Sequence, residues 1–286
     1  MPQYTGLLQM RGNYAAMKGN GIDVQIKSKN IRNGHLLWES SLLVSHATDR
    51  ITAFSADTYP YPNDGRSVSP IVGKPVYHIS SFRWAGLNVE TGNPQGIDQS
   101  GEISQDYSTL SRPESFDQLV YHGAARPTLF GGLRNTVQYR DFSLSFNISF
   151  KMGYYFRRRS VVYDGMYRSY RLNADYDARW KAPGDELKTY VPSQIYPANR
   201  NRDSFYENSE VLVENGDHIR LQDIALNYRI NSKSLKALGV SSLQVGAYAN
   251  QIGLLWKATK TDLDPDFPTG GIRTPRTIAF SIKAGF

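Results

Sequence analysis

From Phe142 the chain reads Phe-Ser-Leu-Ser-Phe-Asn-Ile-Ser-Phe-Lys-Met-Gly, ending at Gly153. Phe142, Leu144, Phe146, Ile148, Phe150 and Met152 fall on one side of an extended chain. Ser143, Ser145, Asn147, Ser149, Lys151 and Gly153 fall on the other. Strict alternation is a β-strand signal, because a helical period would scatter these side chains around an axis. Twelve residues rising about 3.3 Å each reach roughly 40 Å, long for a soluble strand and suited to a tilted membrane-crossing one.

The alternation recurs along the chain. Ile22, Val24 and Ile26 alternate with Asp23, Gln25 and Lys27. Trp38, Leu42 and Val44 share a face, as do Ile224, Leu226, Tyr228 and Ile230, and Leu243, Val245, Ala247 and Ala249. Ile278, Phe280, Ile282, Ala284 and Phe286 close the sequence in the same manner. The pattern predicts about eight long strands, near 20–30, 34–47, 74–86, 126–139, 142–154, 216–230, 241–255 and 274–286. A phase slip at Ile219 and Leu221 predicts a bulge, and Arg140-Asp141 a tight hairpin. Asn30 to Asn33 and Asn231 to Val240 are the other short links, with a brief helix expected over Ser232–Leu238 before Gly239. The stretches 48–73, 87–125, 155–215 and 257–273 are long and polar. Short turns alternating with long loops are the asymmetry of a membrane barrel, whereas loops of that length count against a compact soluble domain.

Composition agrees. The 286 residues contain 19 Tyr, 12 Phe and 4 Trp, too many aromatics for disorder. No apolar run is long enough for a membrane helix, which leaves strands as the means of crossing. Small polar residues opposite the apolar rows suit a wet lumen, and aromatics gather at strand ends, as with Tyr139, Phe142, Tyr154, Tyr155, Phe156 and Trp256. A soluble β-sandwich with core aromatics is the competing reading. Cysteine is absent, so disulfides, thiol chemistry and cysteine-ligated zinc are excluded. The net charge of +7 is spread along the chain apart from Arg157-Arg158-Arg159, which argues against nucleic acid. Met1 to Leu8 lacks the basic-then-apolar pattern of a signal peptide, so the chain is either not exported as given or is a piece of something longer.

Catalytic patterns are missing. His35, His46, His78, His122 and His218 have no metal spacing, no nucleophile elbow or phosphate loop occurs, and no cofactor is expected. Asp262, Asp264 and Asp266 resemble a calcium loop without its glycine and distal glutamate, so a solvated turn is preferred. Asp185-Glu186 reads as an ordinary loop charge pair. The long loop 155–215 carries Arg157, Tyr163, Tyr167, Tyr170 and Trp180, whose rings and guanidinium suit sugars, peptides or anions. These five are the candidate substrate-binding residues. The alternative is that they only order the loop.

Six motifs in order resemble the SusC/RagA class of TonB-dependent outer-membrane transporters of Bacteroidota. They are Gly12-Asn13-Tyr14 with Asn20-Gly21-Ile22-Asp23; Trp84-Ala85-Gly86-Leu87-Asn88 with Thr91-Gly92-Asn93-Pro94-Gln95-Gly96; Pro127 to Thr136 around Gly131-Gly132; Arg179-Trp180-Lys181-Ala182-Pro183-Gly184-Asp185; Gly216-Asp217-His218-Ile219-Arg220-Leu221; and Leu263-Asp264-Pro265-Asp266 followed by Pro275-Arg276-Thr277. The resemblance implies an all-β fold, an antiparallel transmembrane β-barrel segment with long extracellular loops and short periplasmic turns. Residues 1–286 would be the C-terminal part of the receptor barrel, with the plug domain and N-terminal strands absent. It implies a non-enzymatic part in oligosaccharide or oligopeptide import across the cell outer membrane. Implied partners are outer-membrane lipid, a SusD-like lipoprotein, TonB through the missing N-terminal region, and the barrel assembly machinery reading Phe286. A segment so short would be incomplete for transport alone. The rival function is a soluble carbohydrate-binding β-sandwich module.

Overall fold

A computed structural model describes residues 14–56, 59–230, 239–268 and 273–286. In chain order its strands are β1 (Ala15–Arg32), β2 (Leu36–Phe54), β3 (His78–Ser81), β4 (Trp84–Leu87), β5 (Pro94–Ile97), β6 (Ile103–Ser104), β7 (Val120–Ala124), β8 (Leu129–Tyr139), β9 (Phe142–Met152), β10 (Tyr155–Arg157), β11 (Val213–Asn215), β12 (His218–Ile230), β13 (Ser242–Lys257) and β14 (Thr277–Gly285). Three short helices are α1 (Tyr107–Leu110), α2 (Tyr163–Ser169) and α3 (Arg200–Glu207). None of the described helices is long and apolar enough to cross a membrane.

The long strands form one antiparallel sheet in the order β1-β2-β8-β9-β12-β13-β14. Each pairs with its neighbour in the chain order of the long strands, so the sheet is a meander. Its links at one end are short: 33–35, 140–141 and 231–241. At the other end lie the long segments 55–128, 153–217 and 258–276. Asn33 closes the first turn, accepting from His35 N (3.1 Å) and Leu36 N (2.8 Å). Arg140 turns the β8–β9 hairpin with a left-handed φ of 53°, and its N–H reaches His35 O of the neighbouring turn at 2.8 Å. The bulge expected near Ile219 and Leu221 is present as two register shifts in the β12–β13 pairing.

Register sorts the side chains into two faces. Ser41, Arg134, Asn147, Asp223, Asn250 and Thr277 form one cross-strand row of the polar face, where Arg134 pairs with Asp223 at 3.3 Å. Ile26, Leu42, Leu133, Ile148 and Leu221 form a row of the apolar face. That apolar face stays largely uncovered: Phe142, Leu144, Leu226 and Phe280 are all exposed. A sandwich would bury this face under a second sheet. The three remaining described sheets are instead small, two or three strands each, and belong to the long connections.

The buried apolar core lies in those connections, which fold together as a crown. Phe82, Tyr107, Leu110, Leu119 and Phe205 pack with Trp84 and Phe116 as one cluster. Val161, Tyr163 and Val191, backed by Met166, Tyr167, Tyr176 and Ala198, form a second. One expected strand differs. The segment 74–86 is not a long sheet strand but the short β3 and β4, paired with β7 and β5 in the crown. Residues 78–82 are buried on both sides, and Gly86 at φ 100° breaks the extension. Alternation alone does not distinguish a crown strand from a wall strand. The helix expected over Ser232–Leu238 and the motif residues Gly12-Asn13 lie outside the described residues.

Candidate functional site

The crown holds two kinds of site: clamps that hold the long loops in place and an open cleft. The clamps are arginines whose burial is offset by specific acceptors. Arg202, 1% exposed, donates from Nε to Asn93 Oδ1 (2.8 Å) and from Nη2 to Ser193 O (2.7 Å). It thereby ties α3 to the Gly92-Asn93 turn and to the 193 strap. Arg157 donates to Asn208 Oδ1 (2.6 Å), Asn63 O (3.3 Å) and Ser80 O. Burial lowers its guanidinium to about 10, opposed by Asp64 and Glu207, so it stays charged at neutral pH. Arg158 is buried against Asp175 at 2.5 Å and beneath the Tyr190 ring at 4.8 Å.

A further clamp fixes the last long loop to the sheet. Lys151 on β9 and Arg220 on β12 project from the polar face. Lys151 Nζ meets Asp266 Oδ1 at 2.6 Å, and Arg220 meets Asp264 Oδ1 at 2.5 Å and Asp266 Oδ2 at 3.0 Å. Burial favours the neutral acid at Asp266, but its contacts with His218 and Lys151 hold the carboxyl far below its usual range. The solvated turn expected at Asp262, Asp264 and Asp266 is therefore corrected. Two of the three carboxylates are bound to strand cations, because the loop folds back over the sheet end. Among the described residues no cluster has the composition of a metal site.

The cleft is about 1100 Å³ and lies between 158–175 and 261–268. Arg159, Tyr170, Arg171, Leu172, Tyr190 and Asp262 line it. Tyr170 is 92% exposed at the left-handed C-cap of α2, where the chain leaves the helix and turns its ring outward.

The structure separates the five candidate residues. Tyr163 is 1% exposed, with its hydroxyl donating to Pro192 O at 2.7 Å. Trp180 is also buried; its indole donates to Glu186 Oε2 at 3.2 Å, and its ring lies against Gly92. Arg157 is the clamp described above. Tyr167 is half-buried and donates to Ile195 O at 3.0 Å. Only Tyr170 of the five lines the cleft. Arg171, Leu172 and Tyr190 line it too and were not singled out, because spacing does not reveal that 158–175 meets 261–268.

A meander wall with one uncovered apolar face, one polar face and a folded crown of long loops defines a β-barrel wall segment. No family model matches the chain. It is 24% identical over 311 residues to a TonB-dependent receptor of Formosa agariphila, covering 88% of this chain and 28% of that protein. A second TonB-dependent receptor of the same organism is 22% identical over 317 residues, covering 100% and 31%. The RagAB peptide importer in its "open-open" state superposes with a TM-score of 0.71 at 16% identity, over 100% of this chain and 30% of that one. Its "closed-closed" state gives 0.70 at 19% identity, over 100% and 31%. The chain is thus SusC/RagA-like: similar along its length to TonB-dependent receptors, which are not enzymes, and folded like part of the RagAB barrel. It spans a little under a third of those relatives' length.

Proposed function

We propose that the chain is the C-terminal part of the barrel wall and crown of a TonB-dependent nutrient importer in the cell outer membrane. The observation that carries this reading is the separation of cores: apolar side chains are buried in the crown, while the sheet's apolar rows stay exposed. In water that face would cost about 25 cal/mol per Å² of apolar surface; in lipid it costs nothing. The short turns then face the periplasm and the crown faces outward. Phe286, with Phe280, Ile282 and Ala284 at two-residue steps, supports reading by the barrel assembly machinery, and TonB would be met by sequence outside this chain.

Transport would require the remaining wall and a plug, and would work with a SusD-like lipoprotein. The substrate class is an oligosaccharide or oligopeptide, the latter favoured by the peptide importer whose fold the chain shares. Tyr170, with Arg171 and Tyr190, is the part of the crown open to such a ligand. Detergent-phase partition and a heat-dependent gel mobility shift test the membrane reading. A monomer that stays folded in detergent-free buffer would overturn it. Uptake by cells carrying Tyr170→Ala and Arg171→Ala in the complete receptor tests the cleft, and unchanged uptake at normal surface abundance would remove it from the substrate path.

A further inference from the structure

The upper outward face of β1 and β2 carries a charge pattern that the transport reading does not use. The pairs Ile26–Leu42, Val24–Val44 and Ile22–His46, apolar except for His46, climb toward the crown on that face. The next pairs in the same phase are Asn20–Thr48 and then Lys18–Arg50, with no bulge between them. All four polar residues are exposed, as is His46. Lys18 and Arg50 stand directly opposite each other, an arrangement that costs energy unless an anion lies between them. Neither has an ion-pair partner among the described residues. The nearest acids in the pairing, Asp23 and Asp49, point to the other face, and Asp49 is engaged with Val76 N at 2.7 Å. Eighteen residues of β1 at about 3.3 Å each span roughly 60 Å, twice a hydrocarbon core, so this end clears the apolar band. Long cationic side chains there can lie along apolar surface and place their heads at its margin.

We propose that this face binds phosphate groups of an anionic lipid headgroup in the leaflet on the crown side. The guanidinium and ammonium take the phosphate oxygens, Asn20 and Thr48 add hydrogen bonds, and the acyl chains lie on Ile22 and Val24 below. A free phosphate would use the same donors but not the apolar rows, and their continuity favours the lipid. The inference rests on the membrane reading.

Flotation of the full chain with phosphatidylcholine vesicles, and with the same vesicles containing lipid A, tests it. We expect stronger association with the lipid A vesicles. Lys18→Gln with Arg50→Gln should cut that excess about 25-fold, at roughly fivefold per basic residue, and leave neutral-vesicle association unchanged. Lys27→Gln with Lys29→Gln, on the opposite face, should change neither. Equal binding by the double variant and the parent, or equal loss in the opposite-face variant, would overturn the site. Full displacement by inorganic phosphate would assign it to the free anion and overturn the lipid. Failure of every form to associate with neutral vesicles would remove the membrane reading itself, and this proposal with it.

Discussion

Lys151 and Asp266, separated by 115 residues of sequence, meet at 2.6 Å and join the sheet to the last long loop. Asp266 also receives Arg220 Nε at 3.0 Å and lies 3.4 Å from His218 Nε2. One carboxylate therefore serves three strand-borne donors, and Asp264 adds a second acid for Arg220. The loop is held by charge rather than by apolar burial, which makes its attachment sensitive to a single substitution.

Asp266→Asn keeps the shape and removes the charge. Lys151, 43% exposed, then has no acid while Arg220 keeps Asp264, so the cost is about 1–2 kcal/mol. The loop should detach locally, and trypsin should cut after Lys260 at least tenfold faster while the wall stays intact. A cleavage rate equal to the parent's would show that the cluster does not hold the loop. The acid's folded pKa is depressed, so its contribution is complete above the usual carboxylate value and fades only as pH falls below it. Cleavage rates at pH 7 and pH 5.5, each divided by that of an unstructured lysyl peptide under the same conditions, should therefore match.

The β3–β7 pair should respond to milder acid. Burial, followed by the charge of Arg157, pushes His122 down to about 4, and burial also lowers His78. An unfolded histidine takes a proton near 6.5, so stability is full above that value and is lost as pH falls from 6.5 toward 4. His122 bonds Ser81 Oγ at 2.7 Å, and that contact lies in the pair that would loosen. Hydrogen-exchange protection factors in 78–81 and 120–124 should fall across this window, and His122→Gln should flatten much of the fall. A profile flat from pH 7 to 4.5 in the parent would refute the assignment.

Gly92 has two physical justifications. Its φ is +64°, and a Cβ there would lie 2.3 Å from the Trp180 ring. Gly92→Ala combines backbone strain with a clash and should destabilise the crown by about 2–4 kcal/mol. Trp180→Leu in the same chain should recover part of the loss, since it removes the obstructing ring. No recovery would mean that the backbone conformation, rather than the packing, dominates.

Much of the wall is legible in the sequence because alternation is local. Phe142 to Met152 announces both its strand and its faces, and Arg140-Asp141 its turn. The crown is less legible because its order comes from distant contacts. Trp180 looks like a ligand platform until Gly92 is found beneath it, and Tyr163 until Pro192 takes its hydroxyl. Asp264 and Asp266 resemble an open acidic turn because Lys151 and Arg220 are far away in the chain. Tyr170 is the exception, and its openness follows from a helix end that no periodicity marks.

Asn135 supplies the sharpest test of what bathes the apolar face. It stands on that face in a row with Ser28, Ser40, Phe146 and Ile224. Its Oδ1 accepts from Trp38 Nε1 (3.0 Å) and Ser40 Oγ (2.6 Å), and the chain continues through Asn30 to Ser28. Asn135 itself is only 6% exposed, but the Trp38 and Ser40 side chains reach the surface: in lipid they have no other partners, whereas water replaces the amide there. Asn135→Leu should then cost about 1–3 kcal/mol in lipid by orphaning the indole and the hydroxyl, but only about 0.5 kcal/mol or less on a hydrated surface. Adding Trp38→Phe removes one of the two orphaned donors and should restore part of the loss, because replacing both partners of a hydrogen bond by apolar groups is nearly neutral. The heat-induced mobility shift of the membrane-inserted protein reads both changes. A single variant that melts like the parent would place this face in water, and the barrel-wall reading would have to be abandoned.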